Sequence, residues 1–286
     1  MSTPLSMPTP ALMLEKASTA AVNKAKLRFG SMFILAILAG IYIAFGGVFS
    51  TLVATQTNSV WPYGFVKMLQ GLVFSLGLIL VIIGGAELFT GNMLMIIPFL
   101  QRKISIGELL RNWGSVYLGN FIGSLILALM IVLSGFPNFS NGLVGETMVK
   151  IADAKLHFSF LQAFMLGTLC NILVCLAVWL CYAANSLVDK AVAIIFPVSA
   201  FIAAGFEHSI ANMYLIPAGL LVKSLNPTLF SQVAVDPSAF SLVNFLTQNL
   251  IPVTLGNMIG GSLFVGIAYF LIFSSSSSNM TQNDHH

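Results

Sequence analysis

Three ionisable side chains sit deep inside apolar stretches of this 286-residue chain: Glu87, Glu207 and His208. On insertion scales an unpaired charge at the middle of a bilayer costs roughly 2.5–3.5 kcal/mol, so such residues face a cavity or find a partner. Each glutamate lies in a glycine-bearing interruption, Gly84-Gly85-Ala86-Glu87-Leu88-Phe89-Thr90-Gly91-Asn92 and Gly205-Phe206-Glu207-His208-Ser209-Ile210-Ala211-Asn212. A broken helix leaves amides in need of acceptors, and the two glutamates, with Asn92 and Asn212, are expected to tie the breaks together. His208 has no counterpart in the first interruption, where Leu88 stands at its place. Histidine donates a hydrogen bond or exchanges a proton near neutral pH, which makes it a candidate for a pore. Thr90 offers a hydroxyl to a passing ion or to its own backbone. Asn171, inside another apolar segment, reads equally as an interhelical bond and as pore lining.

Other chemistries lack their residues. Cys170, Cys175 and Cys181 fall in one apolar segment and read as small hydrophobes rather than a disulfide framework or metal site. No nucleophile constellation or cofactor loop is present, so neither an enzyme nor a bound cofactor or metal is expected. No basic cluster is interleaved with aromatics, which argues against nucleic acid.

The elements that carry these residues are membrane helices. The chain is 57% hydrophobic and 7% charged, with a mean hydropathy of +0.94, against roughly 25% charged residues in soluble domains. Crossing the hydrocarbon takes about 20 apolar residues as helix, and six segments qualify, near 30–54, 66–98, 112–134, 159–183, 191–222 and 248–273. The second and fifth are overlong and hold the two interruptions. Residues 1–28 lack a signal-peptide core and are expected to form an amphipathic cytoplasmic helix, at the membrane interface or the pore mouth. The channel domain covers 29–273, and 274–286 is a polar tail ending in His285 and His286. Of the 12 Lys and Arg, eight fall inside if the N-terminus is cytoplasmic, which places both termini there.

An internal repeat gives the architecture. Gly85-x-Glu87 with Asn92-Met93 matches Gly205-x-Glu207 with Asn212-Met213, and Leu118-Gly119-Asn120-Phe121-Ile122-Gly123 matches Leu255-Gly256-Asn257-Met258-Ile259-Gly260. The repeats cover about 29–134 and 158–273, and three spans each means that the second enters the membrane inverted. Interrupted helices in inverted repeats place a site near the midplane, where irregular backbone must line protein or water. Half-helix N-termini there favour an anion. The glycines spaced four apart read as close helix packing. Phe74, Leu78, Leu88 and Phe201 precede or enter the breaks, where they suit a dewetting constriction, although helical spacing alone favours ordinary core.

The stretch Gly205 to Met213 resembles the fifth-span signature of the formate/nitrite transporter family. Gly84 to Thr90 resembles its second span, Asn171-Ile172-Leu173-Val174-Cys175-Leu176-Ala177 its fourth and Asn249 to Gly261 its sixth. The similarity runs closest to the family's formate channels. It implies an all-α membrane protein with an aquaporin-like protomer, a homopentamer with one pore per protomer, and a bacterial inner-membrane location. It further implies a central site of Thr90 and His208, constriction rings of Phe74, Leu78, Leu88 and Phe201, Lys155 as an anion attractor and Asn171 along the path. Formate would pass passively or with a proton, and a formate-metabolising enzyme is a plausible partner at the N-terminal helix. Nitrite or hydrosulfide, and a neutral solute such as water or glycerol, are the alternatives.

Overall fold

The computed structural model describes residues 7–56 and 61–274, and among them all regular structure is helical. The polar tail after Ser274 and residues 1–6 lie outside the described residues. In chain order the helices are α1 (Pro10–Ala25), α2 (Phe29–Ala54), α3 (Tyr63–Gly84), the short α4 (Gly91–Leu100), α5 (Ile106–Leu133), α6 (Leu143–Leu156), α7 (Phe160–Cys181), α8 (Leu187–Ala203), α9 (Ser209–Leu225) and α10 (Leu242–Ser274). Their starts are written locally. Ser105 and Glu108 form a capping box at α5, Ser159 and Gln162 at α7, and Ser186 and Asp189 at α8. Thr9 caps α1, with Pro10 at its first position.

Helices α2, α3, α5, α7 and α10 are each long and apolar enough to cross a membrane. The fifth predicted span is α8 and α9, of 17 residues each, separated by a break. Both interruptions are sharp helix ends. α3 stops at Gly85 and α8 at Gly205, both with φ of 73°, a left-handed conformation that glycine adopts without the clash a Cβ would bring. The next amide closes each cap: Ala86 N–H donates to the Val81 carbonyl and Phe206 N–H to that of Phe201.

The two halves pack alike. α2 lies against α3 and α5, and α7 against α8 and α10. Across the middle α3 meets α8, α5 meets α9 and α10 meets α4. The packing reading of the repeated glycines holds: a Cβ on Gly123 would lie 2.0 Å from the Ile37 carbonyl oxygen, and one on Gly256 2.1 Å from that of Phe164. Outward-facing Phe45, Phe49, Leu72, Leu129, Phe264 and Leu271 are exposed on the isolated chain, an apolar exterior that requires lipid or another protomer.

Two elements depart from the sequence reading. Helix α6 was not expected, although buried Val144, Met148, Ala152 and Leu156 repeat every four residues along one face. Helix α1 forms where expected, but its apolar side is turned onto protein: Met13, Leu14, Ala17, Ala21 and Ala25 are buried, and Lys16 Nζ donates to the Tyr182 carbonyl at 3.2 Å.

Substituting Gly123→Ala should push α2 and α5 apart and lower stability by at least the about 1–3 kcal/mol of ordinary overpacking. Gly114→Ala, with open space around it, should be neutral or gain up to about 1 kcal/mol of helix propensity. Thermal unfolding of the purified protein in detergent checks both, and equal melting temperatures for the two variants would refute the close-packing account.

Candidate functional site

The site begins with what holds the broken backbone in place. In the first break the Asn120 amide donates to the carbonyls of Ala36 at 2.7 Å and Glu87 at 2.9 Å, while its Oδ1 accepts from Phe89 N–H at 2.9 Å. In the second, the Asn257 amide donates to Gly167 at 2.7 Å and Glu207 at 3.0 Å, and its Oδ1 accepts from Ser209 N–H at 2.9 Å. One further amide in each break reaches across to the first helix of its half, Glu87 N–H to Leu35 O and Glu207 N–H to Leu166 O. The freed amides are thus met by an asparagine oxygen and a backbone carbonyl in each break, and not by the glutamate carboxylates. Asn120 and Asn257 were read only as part of a glycine packing motif, and their repetition between the glycines was the available signal.

The glutamates bind side chains on the far side of each break. Glu87 accepts from Asn92 Nδ2 at 2.8 Å and pairs with Lys24 at 2.9 Å. Glu207 accepts from Asn212 Nδ2 at 2.7 Å and Asn249 Nδ2 at 3.1 Å and pairs with Lys155 at 2.6 Å. Asn92 and Asn212 also donate to the Oδ1 atoms of Asn112 and Asn249. Both carboxylates are almost wholly buried; each has a cation and at least one amide, the condition under which a buried charge is tolerated. Asn112 escaped the sequence reading too, and Asn249 entered it only as the start of the sixth-span resemblance, although each stands eight residues before the asparagine of its Gly-Asn motif, Asn120 or Asn257.

The two breaks touch through side chains. Thr90 Oγ1 and His208 Nε2 are 2.9 Å apart. Ala211 N–H donates to His208 Nδ1 at 3.1 Å, so Nδ1 carries a lone pair, the ring proton sits on Nε2, and Nε2–H donates to the threonine oxygen. The hydroxyl proton of Thr90 is left to turn elsewhere. Asn171 underpins this contact: its amide donates to the Thr90 carbonyl at 3.2 Å and the Asn257 carbonyl at 2.7 Å.

Apolar side chains enclose the pair. Phe74 and Phe201 meet edge to face at 6.0 Å, and the Phe201 ring stacks on His208 at 6.0 Å. On one side Phe74 lines the floor of a vestibule of about 710 Å³, whose walls include Lys67, Gln70, Lys155 and Glu207. On the other, Leu78 and Leu88 line a space of only about 30 Å³, together with Ala21 and Lys24 of α1. That is near the share of liquid volume of one water. Thr90 and His208 line neither space and are buried between them. The arrangement is a wide charged mouth, a dry aromatic floor, a polar pair, and a leucine neck under the N-terminal helix.

The sequence profile of a family described as Formate/nitrite transporter matches residues 11–271. The chain is 42% identical over 287 residues to the Formate channel FocA of Escherichia coli (strain K12), across 99% of this chain and 98% of that one. It is 42% identical over 264 residues to the Formate channel FocA of Haemophilus influenzae, across 91% and 92%. A solved structure described as a pentameric formate channel with formate bound is similar with a TM-score of 0.78 and 44% identity, over 86% of this chain and 97% of that one. One described as an FNT family ion channel follows at 0.76 and 28%, over 91% and 98%.

Removing a break asparagine should be costly in either half. Asn120→Ala and Asn257→Ala each strip three buried hydrogen bonds, and leaving buried groups unpaired costs about 1–3 kcal/mol apiece. Both variants should therefore melt far below the parent or fail to assemble. Melting within a few degrees of the parent would mean that something other than the carboxamides holds the breaks.

Proposed function

The chain belongs to the formate/nitrite transporter family, and on that premise we propose that it conducts formate across the bacterial inner membrane through a pore in each protomer of a homopentamer. The reading includes six spans in two inverted three-helix repeats, the second and fifth broken, an aquaporin-like protomer and both termini cytoplasmic. The matched hydrogen bonds of Asn120 with Asn257, and of Glu87 with Glu207, support the duplication. The relatives named formate channels and the neighbour described as pentameric support substrate and assembly. An enzyme docking at α1 would meet its exposed side, which carries Leu12 and Thr19.

One observation carries the function: the Thr90–His208 contact, buried between Phe74 with Phe201 and Leu78 with Leu88. Formate is almost wholly anionic at neutral pH, as carboxylic acids are. A bare anion resists a dry apolar ring unless hydrogen bonds replace its water. Here two donors stand ready. His208 Nε2–H can turn from Thr90 to an incoming carboxylate oxygen, and the Thr90 hydroxyl can donate to the same ion. Phe74 and Phe201 on one side and the leucines on the other exclude water, which strengthens both bonds.

The same geometry bears on proton linkage. Protonating the ion would draw on an imidazolium, which carries hydrogen on both nitrogens. Nδ1 already accepts the Ala211 N–H, so charging the ring means breaking that helix cap. This supports passage of the anion held by a neutral donor over a proton relay.

Formate flux into proteoliposomes, measured at pH 5 and pH 7 with nitrite as competitor, tests the reading. Thr90→Val and His208→Phe should each cut flux about tenfold or more, since a hydrogen bond to a charged group is worth about 1.5–3 kcal/mol. Unchanged, fully pH-dependent transport by His208→Phe would sink the role given to it. Stronger nitrite than formate flux keeps the family and changes the substrate.

A further inference from the structure

Lys67 was not assigned a role from the sequence, where anion attraction falls to Lys155. The ammonium of Lys155, however, is 2.6 Å from Glu207, and both side chains are largely buried. Such a pair presents a dipole to the vestibule, not a net charge. The lining of the vestibule holds three lysines, Lys67, Lys150 and Lys155, and two carboxylates, Glu146 and Glu207. Lys150 is bound to Glu146 and Lys155 to Glu207. Among the described residues Lys67 alone of the three has no carboxylate within ion-pair distance, and its ammonium lies 5.6 Å from the centre of the Tyr63 ring. The chamber's net charge of +1, three cations less two anions, is therefore the charge of Lys67.

Its place on α3 fits a recruiting role. Lys67, Gln70, Phe74 and Leu78 follow one another at helical spacing down a single face, and each lines the conduction path: the first three the vestibule, the last the leucine neck. Seven residues of helix separate Lys67 from Phe74, a rise of about 10 Å. That is comparable to the Debye length of about 10 Å at 0.1 M salt, so its field reaches the aromatic floor. An ammonium at the floor itself would trap an anion; one two turns above it raises the local concentration and leaves the ion free to move on.

We propose that Lys67 concentrates monovalent anions in the vestibule ahead of Phe74, in addition to any contribution from the paired Lys155. The proposal rests on the transport reading for its consequence in flux, but not for its electrostatic test.

That test uses Thr147→Cys as a reporter, since Thr147 lines the vestibule and Cys170, Cys175 and Cys181 are buried. Rates of modification by a sulfonate-bearing and an ammonium-bearing methanethiosulfonate reagent are compared in full-length purified protein at low ionic strength. On the scale of this chamber, a unit charge changes the local concentration of a monovalent ion about two- to fourfold at a separation of about 10 Å in a largely aqueous space. Adding Lys67→Gln should therefore lower the anionic-to-cationic rate ratio about fourfold or more. Lys67→Glu should lower it further, and the effect should fade at 1 M salt. Removing the exposed pair by Glu146→Gln with Lys150→Gln, which leaves net charge unchanged, should leave the ratio within about twofold. An unaltered ratio in both Lys67 variants would overturn the proposal. Formate flux at low concentration should fall with the ratio in Lys67→Gln. A wild type that passes no formate refutes the transport reading, and the reagent ratio still decides the role of Lys67.

Discussion

The fold depends on one constraint: backbone amides and carbonyls freed by a helix break inside a membrane must be bonded by protein, because no bulk water reaches them. Two carboxamides meet it. Asn120 and Asn257 each donate twice and accept once, which uses a carboxamide's donors fully and one lone pair of its oxygen. No other uncharged side chain of this size offers two donors and an acceptor in one plane. Both asparagines sit between glycines where helices touch backbone to backbone, and the closeness is what lets so short a side chain reach the neighbouring helix. Packing and hydrogen bonding are therefore one device, and the glycine pattern is as much about the reach of the asparagine as about van der Waals contact.

Much of this was legible in the residues, in proportion to how local the signal is. The broken spans announce themselves through Gly85 and Gly205, and the repeat through identical spacing. The starts of α5, α7 and α8 are written as capping boxes. What the sequence concealed is partner choice. Glu87 and Glu207 are evident as buried acids, but that each would take a lysine from the helix preceding its own half, Lys24 and Lys155, depends on how α1 and α6 lie across the breaks. Helix α6 was missed because its polar face, with Glu146, Lys150 and Lys155, masks an apolar stripe in a segment too short and charged to register as a span. Asn171 was undecided between pore and bond; its amide is spent on two carbonyls, a choice set by the distance between α7 and α10.

The polar scaffolds of the two halves correspond almost atom for atom, yet the two mouths differ. One is a vestibule of about 710 Å³; the other is a space of about 30 Å³ beneath α1. The glutamate–lysine and glutamate–asparagine pairs recur in both halves, and the larger difference is elsewhere. It lies in what surrounds them. Lys155 is carried on a helix at the edge of an open chamber, whereas Lys24 belongs to a helix whose apolar side is packed onto the channel body. At the breaks the asymmetry is carried in part by two positions, where Leu88 and Thr90 in the first half match His208 and Ile210 in the second. The leucine helps to form the neck, and the histidine crosses to Thr90. Two similar frames thus acquire different mouths through exchanged side chains at the breaks and the way α1 covers one of them.

His208 also shows how a frame can tune chemistry without a charged neighbour in contact. By capping the N-terminus of α9 through Nδ1, the ring commits its proton to Nε2, the atom facing the other break. It becomes a neutral donor, pre-aimed, with its resting partner the hydroxyl of Thr90. A permanent cation at that depth would hold an anion too well, and a purely apolar contact would not admit it. Conduction needs binding strong enough to replace water and weak enough to release the ion. For the formate conduction proposed above, an uncharged imidazole N–H beside a hydroxyl falls between those limits. Its worth depends on the dry rings on both sides: were Phe74 and Phe201 to admit water, the same two donors would compete with bulk solvent and lose their advantage.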